Sequence, residues 1–391
     1  MLLLAVLLVG AGTVNLLRPI PNAAAASAVP VQSTVGGATP SLPWPAAGSA
    51  AVGVSGLGLI AASGDVLPAP AASVAKVMTA LVVLADKPLA KGETGPELII
   101  TDADVATYRR DKAEGQSVVE VTAGERLSEF DALQALLIPS GNNIAETLAR
   151  WDAGSVSAFV DKMNQKATAL HLTDTTFADP AGVSAQTVST PSDMVAMGMA
   201  AMQQEVLAQI VDEAQTTLPV AGIVYNVNAA LGQSGIIGIK TGSGLDSGAN
   251  FLFAASATVD GQPLTLFGGI MGQPTLEAAF TEAKALIGAM QAALSVDKVV
   301  ARNDVVGAYR TDWGSSADLL ATADVTLVEW PGMILRQQIE AKALTIDGTV
   351  PAGAPAGKLH VVLGDQQVDI PLVTAGSLDP PGLIWRLLRI G

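Results

Sequence analysis

Residues 72–85 read ASVAKVMTALVVLA, a run that is apolar except for Ser73, Lys76 and Thr79. An apolar stretch of this length without a turn residue predicts a helix over Ser73 to Ala85 that is buried on all sides. On that helix Ser73 and Lys76 stand one turn apart on a single face. Upstream, Ala51 to Ile60 with Ser63-Gly64-Asp65 predicts a β-hairpin. Downstream, the texture from Thr101 to Ala200 is helical, with a capping box over Ser128 to Asp131 and a second cap at Thr190, Pro191 and Asp193. From Gly235, two apolar strands joined by a turn at Val259 to Gln262 precede a helix over about Leu276 to Leu294. Strand-rich segments that bracket a helical middle predict an α+β domain over residues 49–294. One sheet is completed by both ends, helices flank it, and a helical insertion separates its halves.

Beyond Ser295 the pattern changes to short alternating runs (ADVTLVEW, KLHVVLGDQQVDIPLV) broken by Pro and Gly, with a turn at Gly364-Asp365. This predicts a small β domain over residues 295–377. Two further units are expected ahead of the helix. Residues 1–17 (MLLLAVLLVGAGTVNLL) are uncharged and apolar, just long enough to cross a bilayer core. They read as a signal peptide or an anchor, with the anchor favoured, and PNAAAASA supplies small residues for cleavage. Arg18 follows the run and no cation precedes it, the reverse of the usual orientation signal, so a further N-terminal stretch is expected. Residues 18–48, rich in Pro, Gly, Ser and Ala, read as a linker. At the other end, residues 378–391 form an amphipathic tail in which Arg386 and Arg389 share one side with Trp385 nearby, suited to a membrane surface.

Composition closes several routes. The net charge of −15 argues against a nucleic-acid interface, which needs clustered cations. With no cysteine, thiol catalysis and Cys-ligated metal are excluded. The only histidines, His171 and His360, lie near a helix end and in a β-domain strand, which disfavours a Ser-His-Asp hydrolase and a catalytic zinc. No cofactor or metal is expected.

Three short motifs occur in order: Ser73-Val-Ala-Lys76, Ser140-Gly-Asn142 and Lys240-Thr-Gly242. A serine hydroxyl needs a base, and a buried lysine beside another cation, here Lys240, can be one. Ser140 could relay a proton to a leaving amine, Asn142 could hold Lys76 and a substrate backbone, and Gly141 would keep the turn tight. Lys240, Thr241 and Gly242 end the apolar run GIIGIK, a strand edge on which an extended peptide could pair, with Lys240 and Thr241 suited to a terminal carboxylate. Backbone N–H groups of Ser73 and Ser243 would form an oxyanion hole. A second SxxK, Ser295-Val-Asp-Lys298, lies at a domain junction ahead of VVARND and reads as accidental.

The set SxxK, SxN and KTG resembles the penicillin-recognising serine acyltransferases. Within them, LLIPSGNNIAETLAR at Leu136 to Arg150, the segment around Gly182 to Pro191, and GIKTGS are most similar to the low-molecular-mass D-alanyl-D-alanine carboxypeptidases, over roughly residues 49–293. The resemblance implies a β-lactamase/DD-peptidase-like antiparallel sheet flanked by helices, and a C-terminal β domain with a terminal anchor. It implies Ser73 as acylated nucleophile, Lys76 as base, Ser140 and Asn142 as second motif, and Lys240 to Gly242 as third. The implied partners are a peptidoglycan stem peptide ending in D-Ala-D-Ala, β-lactams as covalent inhibitors, and the extracytoplasmic face of the bacterial membrane. After the KTG the chain reads SGLDSGAN, poorer in His and Thr than many relatives, a departure that bears on substrate preference. A serine β-lactamase is the runner-up, disfavoured because no Glu occurs between Thr147 and Gln204 and Gly141 stands where those enzymes usually carry Asp. A catalytically silent wall-binding homologue is the third reading, against which the intact motifs argue.

Overall fold

The computed structural model describes residues 2–63 and 67–389. The chain folds as two compact units, one formed by Pro40–Ala293 and the other by Met1–Thr39 together with Leu294–Gly391.

The first unit is built on a five-stranded antiparallel sheet with strands β1 (Ser49–Val54), β2 (Gly58–Ser63), β3 (Ile236–Gly244), β4 (Gly248–Val259) and β5 (Gln262–Gln273), in the order β3-β4-β5-β1-β2. Both ends of the unit therefore complete one sheet, because β5 pairs with β1. The β4–β5 turn is Asp260-Gly261, both at positive φ (48° and 83°), the geometry a two-residue hairpin needs. The β1–β2 turn falls at residues 55–57 rather than after Ser63, and Gly64 and Asp65 lie outside the described residues.

Eight helices are described in this unit: α1 (Ala75–Asp86), α2 (Asp102–Ala113), α3 (Glu129–Leu137), α4 (Asn142–Ala153), α5 (Val156–Ala169), α6 (Pro191–Met202), α7 (Glu205–Val211) and α8 (Leu276–Ala293). Successive side chains of β4 point to opposite faces of the sheet. Phe251 meets Phe280 of α8 edge-on at 5.0 Å between centroids, while Leu252 next to it lies against Gly198 of α6. The sheet is thus covered on both sides, which explains its near-continuous apolar strands. The sequence caps are real. Ser128 and Asp131 form a reciprocal capping box on α3, and Thr190 accepts from the Asp193 N–H with Pro191 at the first turn of α6. Helix α1 is buried on every side, with Lys76 and Thr79 among its buried residues.

The second unit corrects one expectation. Residues 18–48 are not simply a linker, because Ala24–Ser27 pairs with Val305–Arg310 and Gln32–Thr34 pairs with Ile334–Glu340. These segments form the two outer strands of a seven-stranded antiparallel sheet whose inner strands all come from beyond residue 304. AAAS and QST lack the bulky alternation that marks a strand, and they join through backbone hydrogen bonds that cover edges otherwise open. The N-terminal run forms a helix, Leu2–Leu17, of 16 residues. Among the described residues no helix is long and apolar enough to cross a membrane.

The tail forms a short helix, Leu383–Leu388, whose arginines do not point to open solvent. Arg386 Nη2 donates to the Leu16 carbonyl (2.7 Å), and Arg389 donates to the carbonyls of Asn15 (2.7 Å), Arg18 (2.6 Å) and Pro19 (2.9 Å). Those carbonyls end the N-terminal helix, where peptide oxygens lack intrahelical partners and the dipole favours cations. Asn15 Nδ2 returns bonds to the Leu387 and Arg389 carbonyls, at 3.0 and 3.1 Å.

Candidate active site

The N-terminal end of α1 is preceded by a 3₁₀ turn, Ala72–Val74, in which Ala72 has a left-handed φ of 49°. A non-glycine residue held there stores strain of about 1–3 kcal/mol, which the surrounding structure must over-determine. Ser73, Lys76 and Thr79 repeat at three-residue spacing and face the loop over residues 179–187. Lys76 Nζ lies 2.7 Å from Ser73 Oγ and 2.9 Å from the Ala181 carbonyl, and Thr79 Oγ1 donates to the Pro180 carbonyl at 2.6 Å. Lys76 is wholly buried. Burial, and then the nearby Lys240 charge, hold its ammonium well below the usual lysine range, with Asp179 opposing them.

The second motif is the turn between α3 and α4. Ser140 is buried and takes the left-handed conformation (φ 65°), whereas Gly141, expected to be the special residue, has an ordinary φ of −63°. Asn142 opens α4. Its Nδ2 donates to Gln116 Oε1 at 2.8 Å, and its buried Oδ1 has no hydrogen-bond partner. The expected bond from Asn142 to Lys76 is therefore absent; the short lysine contacts are Ser73 and the Ala181 carbonyl instead.

Strand β3 is an edge of its sheet, with β4 as neighbour on one side only. Lys240 and Thr241 are buried on it, opposite Leu252 and Phe251. Lys240 Nζ donates to the Thr241 carbonyl at 3.2 Å, and burial lowers its pKa to about 7. Gly242 is where the strand comes closest to the nucleophile turn. A Cβ there would stand 3.0 Å from the Ala71 oxygen and 3.1 Å from the Ser73 nitrogen, so a side chain would push strand and turn apart by a few tenths of an ångström. Asn250, opposite Gly242, ties the sheet to that turn through Nδ2 to the Pro70 carbonyl (2.9 Å).

Ser73, Asn142 and Ser243 line one cleft of about 340 Å³ with Gln116, Gly182 and Asp246. Lys76, Ser140, Lys240 and Thr241 are buried and do not line it. Sequence reasoning missed Gln116, the Ala181 carbonyl and Gly182, whose φ of 77° sets it against the Ala72 carbonyl. The Asp179-Pro-Ala-Gly182 turn signal was available for the last two. The rival Ser295 and Lys298 lie on a β-strand, where residues three apart point to opposite faces, and Lys298 pairs with Asp324 at 2.6 Å.

Residues 55–274 match the family model of the D-alanyl-D-alanine carboxypeptidases, more than half of the chain. The chain belongs to this family. The carboxypeptidase DacD of Escherichia coli (strain K12) is 29% identical over 333 residues, covering 81% of this chain and 82% of that protein. DacB2 of Mycobacterium tuberculosis is 32% identical over 204 residues, 50% of this chain and 65% of its own. A D-alanyl-D-alanine endopeptidase of Pseudomonas aeruginosa is 35% identical over 144 residues, 37% of this chain and 43% of its own. Among solved structures, DacD from Francisella tularensis aligns with a TM-score of 0.63 at 18% identity, covering 88% of this chain and 96% of that one. The Streptomyces K15 DD-transpeptidase aligns with a TM-score of 0.57 at 24% identity, covering 65% and 99%. These two likenesses establish the fold, the α+β sheet flanked by helices expected from the sequence.

Proposed function

We propose that this carboxypeptidase removes the terminal D-alanine from peptidoglycan stem pentapeptides through an acyl-enzyme on Ser73. The observation that carries the reading is the wholly buried Lys76 with its Nζ 2.7 Å from Ser73 Oγ. Neutral Lys76 takes the hydroxyl proton as Oγ attacks the carbonyl of the penultimate D-alanine. The oxyanion is met by the N–H groups of Ser73 and Ser243, the largest electrostatic contribution usual in acyl transfer. The C–N bond then breaks, D-alanine leaves with a proton relayed through Ser140, and water hydrolyses the ester. The substrate lies along the free edge of β3, its carboxylate on Lys240 and Thr241 and an amide N–H on the unpartnered Asn142 Oδ1.

The same chemistry makes the protein a target of β-lactams. Mass spectrometry after penicillin treatment is expected to place one adduct on Ser73 and none on the Ser73→Ala protein. Free D-alanine and a tetrapeptide should be released from a synthetic stem pentapeptide. An adduct elsewhere would refute the assignment, rapid penicillin turnover would favour a β-lactamase, and product carrying an amine acceptor would make the protein a transpeptidase.

The reading extends to location, the extracytoplasmic face of the bacterial membrane with both chain ends on the lipid surface. It is supported by the apolar run at residues 1–17 and by Leu383, Ile384 and Leu388, which are 64–74% exposed. Because Arg386 and Arg389 are engaged with the N-terminal helix, the two ends would bind as one element. Deleting residues 378–391 should then reduce sedimentation with anionic liposomes as much as deleting residues 1–28. Unchanged binding after either deletion would refute the joint anchor.

A further inference from the structure

The loop over residues 179–187 carries the lysine contact and a wall of the cleft, yet it contains no regular secondary structure to hold it. One carboxylate gathers four of its backbone N–H groups. Asp179 Oδ1 accepts from the backbone N–H groups of Ala181 (2.8 Å), Gly182 (2.6 Å) and Val183 (3.0 Å). Asp179 Oδ2 accepts from the Ser184 N–H (2.9 Å) and from Thr187 Oγ1 (2.8 Å). The fully buried Thr187 in turn accepts from the Ala178 N–H at 3.0 Å, which closes the loop on itself. Five donors converge on the two oxygens of a single side chain.

The loop held in this way does two things at the site. It points the Ala181 carbonyl at Lys76 Nζ, and it seats Gly182 against the Ala72 carbonyl beside Ser73. Asp179 is also a negative charge acting on Lys76, where it opposes burial and the Lys240 cation. We infer that Asp179 is a positioning residue: it assembles the loop that orients Lys76 on Ser73 and sets a negative charge near that lysine. The inference rests on the role proposed above for Lys76 as base.

Two variants separate position from charge. Asp179→Asn keeps one acceptor oxygen but sets an amide N–H₂ against the Ser184 and Thr187 donors and removes the charge. Asp179→Glu keeps the charge and displaces the oxygens by a methylene. Lys76 faces the charges of Lys240 from β3 and Asp179 from the loop, so deleting the second should lower its pKa further. A neutral base would then be available at lower pH. In Asp179→Asn the rising limb of acylation against pH is therefore expected at lower pH than in wild type. The NMR titration of ¹³C-labelled Lys76 should move with it, and the 181–184 amides should lose hydrogen-exchange protection. In Asp179→Glu the limb and the titration should stay within a few tenths of a unit while acylation by penicillin falls tenfold or more, since misplacement by about 1 Å costs up to a hundredfold.

The Lys76 titration and the amide protection do not depend on activity. If they behave as expected while wild type gives no Ser73 adduct, the proposed function fails and the positioning role stands. A folded Asp179→Asn protein with unmoved titration and protected amides would overturn the inference, as would a folded Asp179→Glu protein acylating at the wild-type rate. Should Asp179→Asn not fold, Asp179→Glu decides alone by its rate and its amides.

Discussion

Gly182→Ala puts the packing of the cleft wall to a direct test. A Cβ at this position would stand 1.8 Å from the Ala72 carbonyl oxygen, 2.3 Å from its carbon and 3.1 Å from the Ser73 nitrogen. Non-bonded carbon and oxygen do not tolerate such separations, so the loop and the 3₁₀ turn must part by roughly 1 Å or more. The φ of 77° adds a left-handed penalty for alanine, about 1–2 kcal/mol. For a unit of this size, that penalty alone lowers the melting temperature by a few degrees. The functional effect should be larger. Ala72 precedes the nucleophile, and the Ala181 carbonyl beside Gly182 holds Lys76, so both reacting groups move apart together. A displacement of this size costs on the order of a hundredfold in rate. The assay is the second-order rate constant for acylation by a fluorescent penicillin, with a thermal melt on the same sample. A Gly182→Ala protein that acylates within threefold of wild type and melts within a degree of it would refute the claim that Gly182 keeps wall and nucleophile in contact.

Lys76→Arg keeps the cation but supplies no neutral base at ordinary pH, so acylation should fall by orders of magnitude; a near-wild-type rate would remove Lys76 from the role. The pH profile of acylation should be bell-shaped, rising as buried Lys76 loses its proton and falling as Lys240, at about 7 in the free protein, loses the charge that binds a carboxylate. In Lys240→Arg the falling limb should move beyond pH 9, and its persistence near 7 would assign it to another group. Glu129 is wholly buried with both carboxylate oxygens unpartnered, and burial raises its pKa to about 7. An acid whose folded pKa is raised costs nothing when protonated below its unfolded pKa of roughly 4.3, and the cost grows until pH passes the folded value. Glu129→Gln should therefore raise the melting temperature at pH 8 by several degrees and leave it unchanged at pH 4; equal shifts at both would contradict this.

Local chemistry was legible in the sequence wherever the chain acts on its own neighbours. The three-residue spacing of Ser73 and Lys76 on an apolar run specified one helix face, and Ser128, Asp131, Thr190 and Asp193 specified two helix starts, because caps and helical periodicity are short-range. The order of strand-rich and helical segments was enough for a sheet closed by both ends of its unit. Contacts between distant segments were not legible. AAAS and QST carry no strand pattern, and they become strands only because the β sheet offers them open edges. Arg386 and Arg389 read as lipid-facing until the end of a helix some 370 residues away presents its carbonyls. Asp179 reads as an ordinary turn acid, and only the folded loop brings five donors onto it. Sequence alone determined which residues could do acyl-transfer chemistry, since residue type and short spacing carry that information. Only the tertiary structure decided how Lys76 is buried, where Gly182 and Gly242 press on the nucleophile turn, and which carboxylate holds the loop between them, because burial and close approach are properties of segments that meet after folding.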